Sequence, residues 1–205
     1  MTEKLFYIDS HLQEFTAEVV SCRPCDNGYE AVLSRTAFFP EGGGQAADTG
    51  VIDGIRVYDV QEKGEQIFHY LEGELEEGKT VTGQIDWDKR FSRMQQHSGE
   101  HILSGMASKL FGAKNVGFHM AEDYATIDLD TQLTHEQIKE LQREANRAVQ
   151  RNVPVTYETV QGEELENITL RKQAKGLKGD IRIVYFDGGE VDSCTCCGTH
   201  VAFSG

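Results

Sequence analysis

The chain has 205 residues, 39% of them hydrophobic and 26% charged, with a formal net charge of −14. Such a length and composition fit a globular protein with one good core or two small ones. The acidic balance excludes loose, sequence-independent binding to nucleic acid, which rests on neutralising phosphates. No apolar run approaches the roughly 20 residues of a membrane-spanning helix, so no membrane partner is expected. The N-terminal "MTEKLFYIDSHLQEF" has no apolar core followed by a small-residue cleavage site, which makes the cytoplasm the default compartment.

Residues 1–87 read as a β-rich unit. The segments 15–20, 29–34, 54–60, 65–71 and 80–86 are short and rich in β-branched or aromatic residues. Turn signals at Asn27-Gly28, Gly42-Gly43-Gly44, Asp53-Gly54 and Glu77-Gly78 separate them. Several short strands without a helical period predict a small barrel or a folded-over sheet. At Asp88, a candidate N-cap, the pattern changes. Phe91, Met94, Leu103, Met106 and Leu110 recur at helical spacing through Phe111, predicting a helix over 88–111. Gly99 and Gly105 each weaken that helix by about 1 kcal/mol and suggest close approach by another backbone. A strand is expected over 124–130, then a helix to about Arg151 opened by the capping box Thr134-His135-Glu136-Gln137. Strands over 153–160 and 181–186 complete an α+β second half, 88–205.

Three passages carry chemistry. His97 and His101 lie four residues apart, on one helix face, where two imidazoles can share a metal. With Glu100 between them they also spell H-x-x-E-H, a zinc-protease signature in which the glutamate is the base. Near the C-terminus Cys196 and His200 repeat the four-residue spacing, and three nitrogens with one sulfur suit zinc. A rival set, Cys22, Cys25, Cys194 and Cys197, has an overlong gap and leaves the histidines unused. Cys22 and Cys25 as a redox pair are disfavoured by the Asp-Asn-Gly turn that follows them. The five cysteines, an odd count, favour metal binding or free thiols over a disulfide framework. In "TAFFPEGGGQAADTG" (36–50), three glycines bare backbone N–H groups that can approach an anion or ester oxygen, with the Gln45 amide beside them.

Taken in order, "TAFFPEGGGQAADTG", "IDWDKRFSRMQQHSGEHIL", "GFHMAEDYATIDLD" and "DSCTCCGTHV" resemble the editing domain of alanyl-tRNA synthetase and its free-standing AlaX relatives. The resemblance spans nearly the whole chain. It implies a β-barrel-like N-terminal subdomain and an α+β editing core shared with threonyl-tRNA synthetase. It also implies a hydrolase that deacylates tRNA(Ala) mischarged with serine, and often glycine, with Zn2+ on His97, His101, Cys196 and His200. Thr36 would lie near the substrate hydroxyl, Gln45 would line the aminoacyl pocket, and His119 falls in the family's G-x-H segment. Relatives usually continue past "HVAFSG", and the sequence does not tell whether a further domain follows there. Cys197 stands where glycine is common, and many relatives lack a carboxylate at the Glu100 position.

Serine is larger than alanine, so a pocket must read the hydroxyl rather than exclude by size. Thr36 and Gln45 have that chemistry, and the amides of Gly42, Gly43 and Gly44 are candidate oxyanion donors. The basic stretch 171–182 holds Arg171, Lys172, Lys175, Lys178 and Arg182 against Asp180, a net of +4, and is the best tRNA contact in the chain. Two further readings stay open: a metalloprotease using Glu100, and a non-catalytic tRNA-binding module with a structural zinc.

Overall fold

A computed structural model describes residues 1–121, 124–173 and 179–205. By internal contacts the chain divides into two compact units, Met1–Met94 and Gln95–Gly205.

The first unit contains β1 (Glu3–Lys4), α1 (Leu5–Ile8), β2 (Glu14–Cys25), β3 (Gly28–Leu33), β4 (Arg35–Thr36), β5 (Gly50–Ile52), β6 (Ile55–Lys63), β7 (Gln66–Leu71) and β8 (Thr80–Ile85). Strand pairing runs β2-β3-β7-β6-β5-β8 and returns to β2, a closed barrel. Alternation drives the closure. In β8 the pattern exposed–buried repeats three times, placing Val81, Gly83 and Ile85 inward. In β7 Ile67, His69 and Leu71 are the inward set. The core gathers Phe15, Val19, Leu33, Phe38, Ile52, Val57, Ile67 and Leu71, and His69 and Thr36 are among the polar residues buried in the same unit.

α2 (Trp87–Phe111) begins one residue ahead of Asp88. The backbone carbonyl of Asp86 accepts the first helical bond, from the Arg90 N–H at 3.1 Å, so Asp86 stands at the cap position. Asp88 instead sits in the first turn, where its charge complements the helix dipole.

The second unit holds the rest of α2 with β9 (Asn115–Met120), β10 (Ala125–Leu129), α3 (His135–Gln150), β11 (Val155–Gln161), β12 (Asp180–Phe186) and β13 (Asp192–Thr195). The sequence pattern misses β9 and β13, short strands whose pairing partners, β10 and β12, supply the registry that their own composition does not. The box at α3 is present: the Thr134 hydroxyl accepts from the Gln137 N–H, and the Gln137 side chain accepts from the Thr134 N–H. Ile102, Met106 and Ala107 of α2 pack with Leu141, Ala145 and Ala148 of α3 over Val184 and Phe186 of β12. The glycine expectation divides. A Cβ at Gly105 would overlap the Val191 carbonyl oxygen, whereas one at Gly99 would meet nothing within 4 Å.

Candidate metal centre and glycine-rich loop

α2 carries His97 and His101 one turn apart, and both are buried. β13 delivers Asp192 and Cys194 inward, and the chain then turns through Cys196 to His200. Arg182 shapes that turn. Its guanidinium donates to the carbonyls of Cys196 (3.1 Å) and Gly198 (2.8 Å) while lying 3.9 Å over the Tyr157 ring. His97, His101, Cys196 and His200 thereby converge, with all ligand atoms within 4.8 Å of one another.

The spacing is that of a metal site. Metal–sulfur and metal–nitrogen bonds of about 2.3 and 2.0–2.1 Å at a tetrahedral angle place sulfur and nitrogen about 3.6 Å apart. The Cys196 Sγ lies 3.6 Å from His97 Nε2 and 3.4 Å from His200 Nε2. The electrostatics agree. Burial alone would raise the Cys196 thiol, but the facing imidazoles of His97 and His200 hold it well below its usual range. Burial and the neighbouring His97 push His200 well down, toward the neutral ligand form. Burial opposes charge on His101, yet Asp192 and the two thiols raise it well above normal. A thiolate and a carboxylate drawing positive charge into one buried cluster is the environment a cation satisfies.

Each ligand is held from behind. His101 Nδ1 lies 2.8 Å from Asp192 Oδ2, and its ring stacks on Phe186. His200 Nδ1 lies 3.3 Å from the Ser98 hydroxyl, whose oxygen also accepts from the Val201 N–H. Phe118 of β9 stacks on His97. Asp192 is in turn gripped by Arg171, with Nε on Oδ1 and Nη2 2.9 Å from Oδ2. Sequence reasoning overlooks Asp192 and Ser98, although each stands within four residues of a ligand.

Glu100 is not a member of the metal-capable set. Its Oε1 accepts from Ser104 (2.6 Å) and Asn115 (2.5 Å), and its Oε2 approaches His101 Nε2 only to 3.9 Å. Among the described residues, the metal-capable groups are the four above and a smaller one of His101, Asp192 and Cys194. Neither includes Cys22, Cys25 or Cys197, and Cys197 is exposed. Cys22 and Cys25 pair with Ala31 and Gly28 along β2. Three residues of extended strand separate their Cα atoms by about 10 Å, too far for a disulfide.

In the first unit the glycine-rich passage is a hairpin. Gly42 and Gln45 exchange backbone hydrogen bonds at 3.0 Å, with Gly43 and Gly44 at φ of 61° and 83°. Only glycine adopts two such values without cost, and the exposed amides of Gly43 and Gly44 lie outside that pairing. The hairpin base is closed by Phe39 and Asp48 and clamped by buried Arg90, which donates to the Asp48 carboxylate, to the Ala37 carbonyl (2.6 Å) and to the Ser10 carbonyl (3.0 Å). Thr36 and Gln45 are fully buried. His69 Nδ1 faces the Ala31 carbonyl at 3.2 Å, and burial lowers this imidazole to a pKa of about 4. A carbonyl only accepts, so the proton is on Nδ1 and Nε2 is an acceptor. Thr36 therefore donates its hydroxyl proton to His69 Nε2 (2.8 Å), and its oxygen accepts from the Phe38 N–H (3.1 Å). Toward any further partner, Thr36 offers only an acceptor.

Of the basic stretch, Arg171 is spent on Asp192 and Arg182 on the ligand turn, Lys172 is exposed, and Lys175 and Lys178 lie outside the described residues. His119 is exposed on β9, opposite Thr126.

Comparison with known proteins gives the chain its relatives. Over 98% of its length the chain is 40% identical to the alanyl-tRNA editing protein AlaX-L of Pyrococcus horikoshii, of which it covers 51%. The chain is similar to alanyl-tRNA editing proteins over nearly its whole length. The chain is also 36% identical over 95% of its length to alanyl-tRNA editing protein Aarsd1 of Mus musculus, covering 50% of it. It is 34% identical over its whole length to the alanine–tRNA ligase of Ignicoccus hospitalis, covering 23% of that protein. The model of class II (A) tRNA synthetases matches residues 8–89. The chain thus spans about half the length of the curated editing proteins it matches.

Proposed function

We propose that the chain is a trans-editing hydrolase that cleaves the aminoacyl ester of tRNA(Ala) mischarged with serine or glycine. The observation that carries this is the buried cluster of three imidazoles and one thiol, at metal-binding spacing, in a chain so similar to alanyl-tRNA editing proteins. The donor set suits Zn2+, which when bound supplies a fixed positive charge that anchors and polarises an ester carbonyl. His97, His101, Cys196 and His200 would hold the ion as four protein ligands, so direct contact with the ester or with water would need a further coordination position, and without one the ion would organise the pocket as a fixed charge. The Gly43 and Gly44 amides are the donors we assign to the developing oxyanion.

Reading of the seryl hydroxyl falls to Thr36 and Gln45. Because His69 takes the Thr36 proton, Thr36 rewards a partner that brings a hydrogen-bond donor and leaves an unpaired acceptor against an alanyl methyl. The protein is incubated with Ser-tRNA(Ala) and Ala-tRNA(Ala), and ester loss is followed. Selective loss of the seryl ester is expected, about tenfold slower in Thr36→Val for one lost hydrogen bond. Survival of both esters would sink the proposal. Peptide cleavage that Glu100→Gln abolishes would put a metalloprotease in its place, and tRNA binding without turnover a binding module.

A further inference from the structure

His101 takes part in both metal-capable groups, and its Nδ1 is the nitrogen that lies against Asp192 and Cys194. Two arrangements of the same atoms follow: a second ion beside Nδ1, or an outer layer that orients the imidazole. Arg171 decides between them. Its guanidinium engages both oxygens of Asp192, so a cation there would meet a fixed positive charge at its only carboxylate ligand. Arg171 is held in turn by the backbone, its N–H donating to the Ser193 carbonyl at 2.9 Å, with Lys172 bridging to Cys194 alongside β13.

We infer that Asp192 is a positioning residue: clamped by Arg171, it accepts the Nδ1 proton of His101 and so presents Nε2, deprotonated and aimed, as a metal ligand. A carboxylate behind a ligating histidine fixes both tautomer and ring angle, and its loss weakens metal binding about 10–100-fold. The first basic residue of the 171–182 stretch is thereby a part of the metal centre rather than a free contact for polyanions. The inference rests on the metal reading of the four-residue cluster.

Its test uses the whole chain, Zn2+ competed against a chelator, Co2+ absorption, and the 15N spectrum of the histidines. Wild-type protein is expected to bind one equivalent, with His101 as the Nδ1–H tautomer. Asp192→Asn is expected to bind at least tenfold more weakly. Because a lone buried Arg171 can unfold the unit, the double variant Arg171→Met with Asp192→Asn removes both charges. It is expected to fold, as judged by circular dichroism, and still to bind at least tenfold more weakly, with loss of the single His101 tautomer. Wild-type affinity in the folded double variant would overturn the positioning role alone, and two equivalents bound by wild type would replace it with a second site. Binding of no metal by wild type would remove this inference and the zinc reading together, whatever the deacylation assay gives.

Discussion

His69 is a buried histidine kept neutral by its surroundings, and that makes it a source of acid lability. Its folded pKa of about 4 lies below the ordinary 6.5, so the unfolded chain takes up the proton first as pH falls. The stabilisation is complete above pH 6.5 and is lost progressively between 6.5 and 4, amounting to about 3 kcal/mol for a shift of this size. Urea denaturation at pH 7.5 and pH 5.0 measures it. His69→Gln keeps a donor and an acceptor but does not titrate, so its stability should fall less between those pH values than wild type does. Equal losses in the two proteins would show that His69 is not responsible.

At the scale of the element, α2 is a long helix tolerating two glycines for different reasons. Gly105 is required, because its backbone passes against the Val191 carbonyl that leads into β13 and the ligands beyond it. Gly105→Ala should destabilise by about 1–3 kcal/mol through overpacking. Gly99 faces open space, and Gly99→Ala should stabilise by up to about 1 kcal/mol from helix propensity. Thermal denaturation of the two variants separates these cases. Shifts of the same sign would refute the distinction. The helix also explains Glu100: one position before His101, it turns its carboxylate to Ser104 and Asn115, a buried network internal to the second unit.

For the molecule as a whole, the charge is distributed unevenly. Outside 171–182 the chain carries −18, so the tRNA contact we propose is a local one. With Arg171 and Arg182 engaged, the lysines at 172, 175 and 178 carry that contact in our reading. Replacing all three with alanine should weaken tRNA binding by at least tenfold and make its salt dependence shallower by about one per lysine removed. Filter binding across a salt series checks this, and an unchanged slope would remove the patch.

What the sequence determined by itself is what depends on near neighbours along the chain. Alternation placed β2, β3, β6, β7 and β8, the box at Thr134 placed the start of α3, and spacing of four put His97 and His101 on one face. The α+β class and the two halves of the metal-capable set, His97 with His101 and Cys196 with His200, were legible for that reason, while donor chemistry and the family resemblance joined the halves. Tertiary structure alone decided which partner each buried polar group takes. Arg171 is an ordinary basic residue until Asp192, 21 residues on, closes on it; Asp192 is ordinary until His101, 91 residues back, meets it. Arg90 with Asp48 and Thr36 with His69 are likewise distant in the chain. A buried polar group must find its partner in three dimensions, and no local pattern encodes a contact whose two halves lie dozens of residues apart.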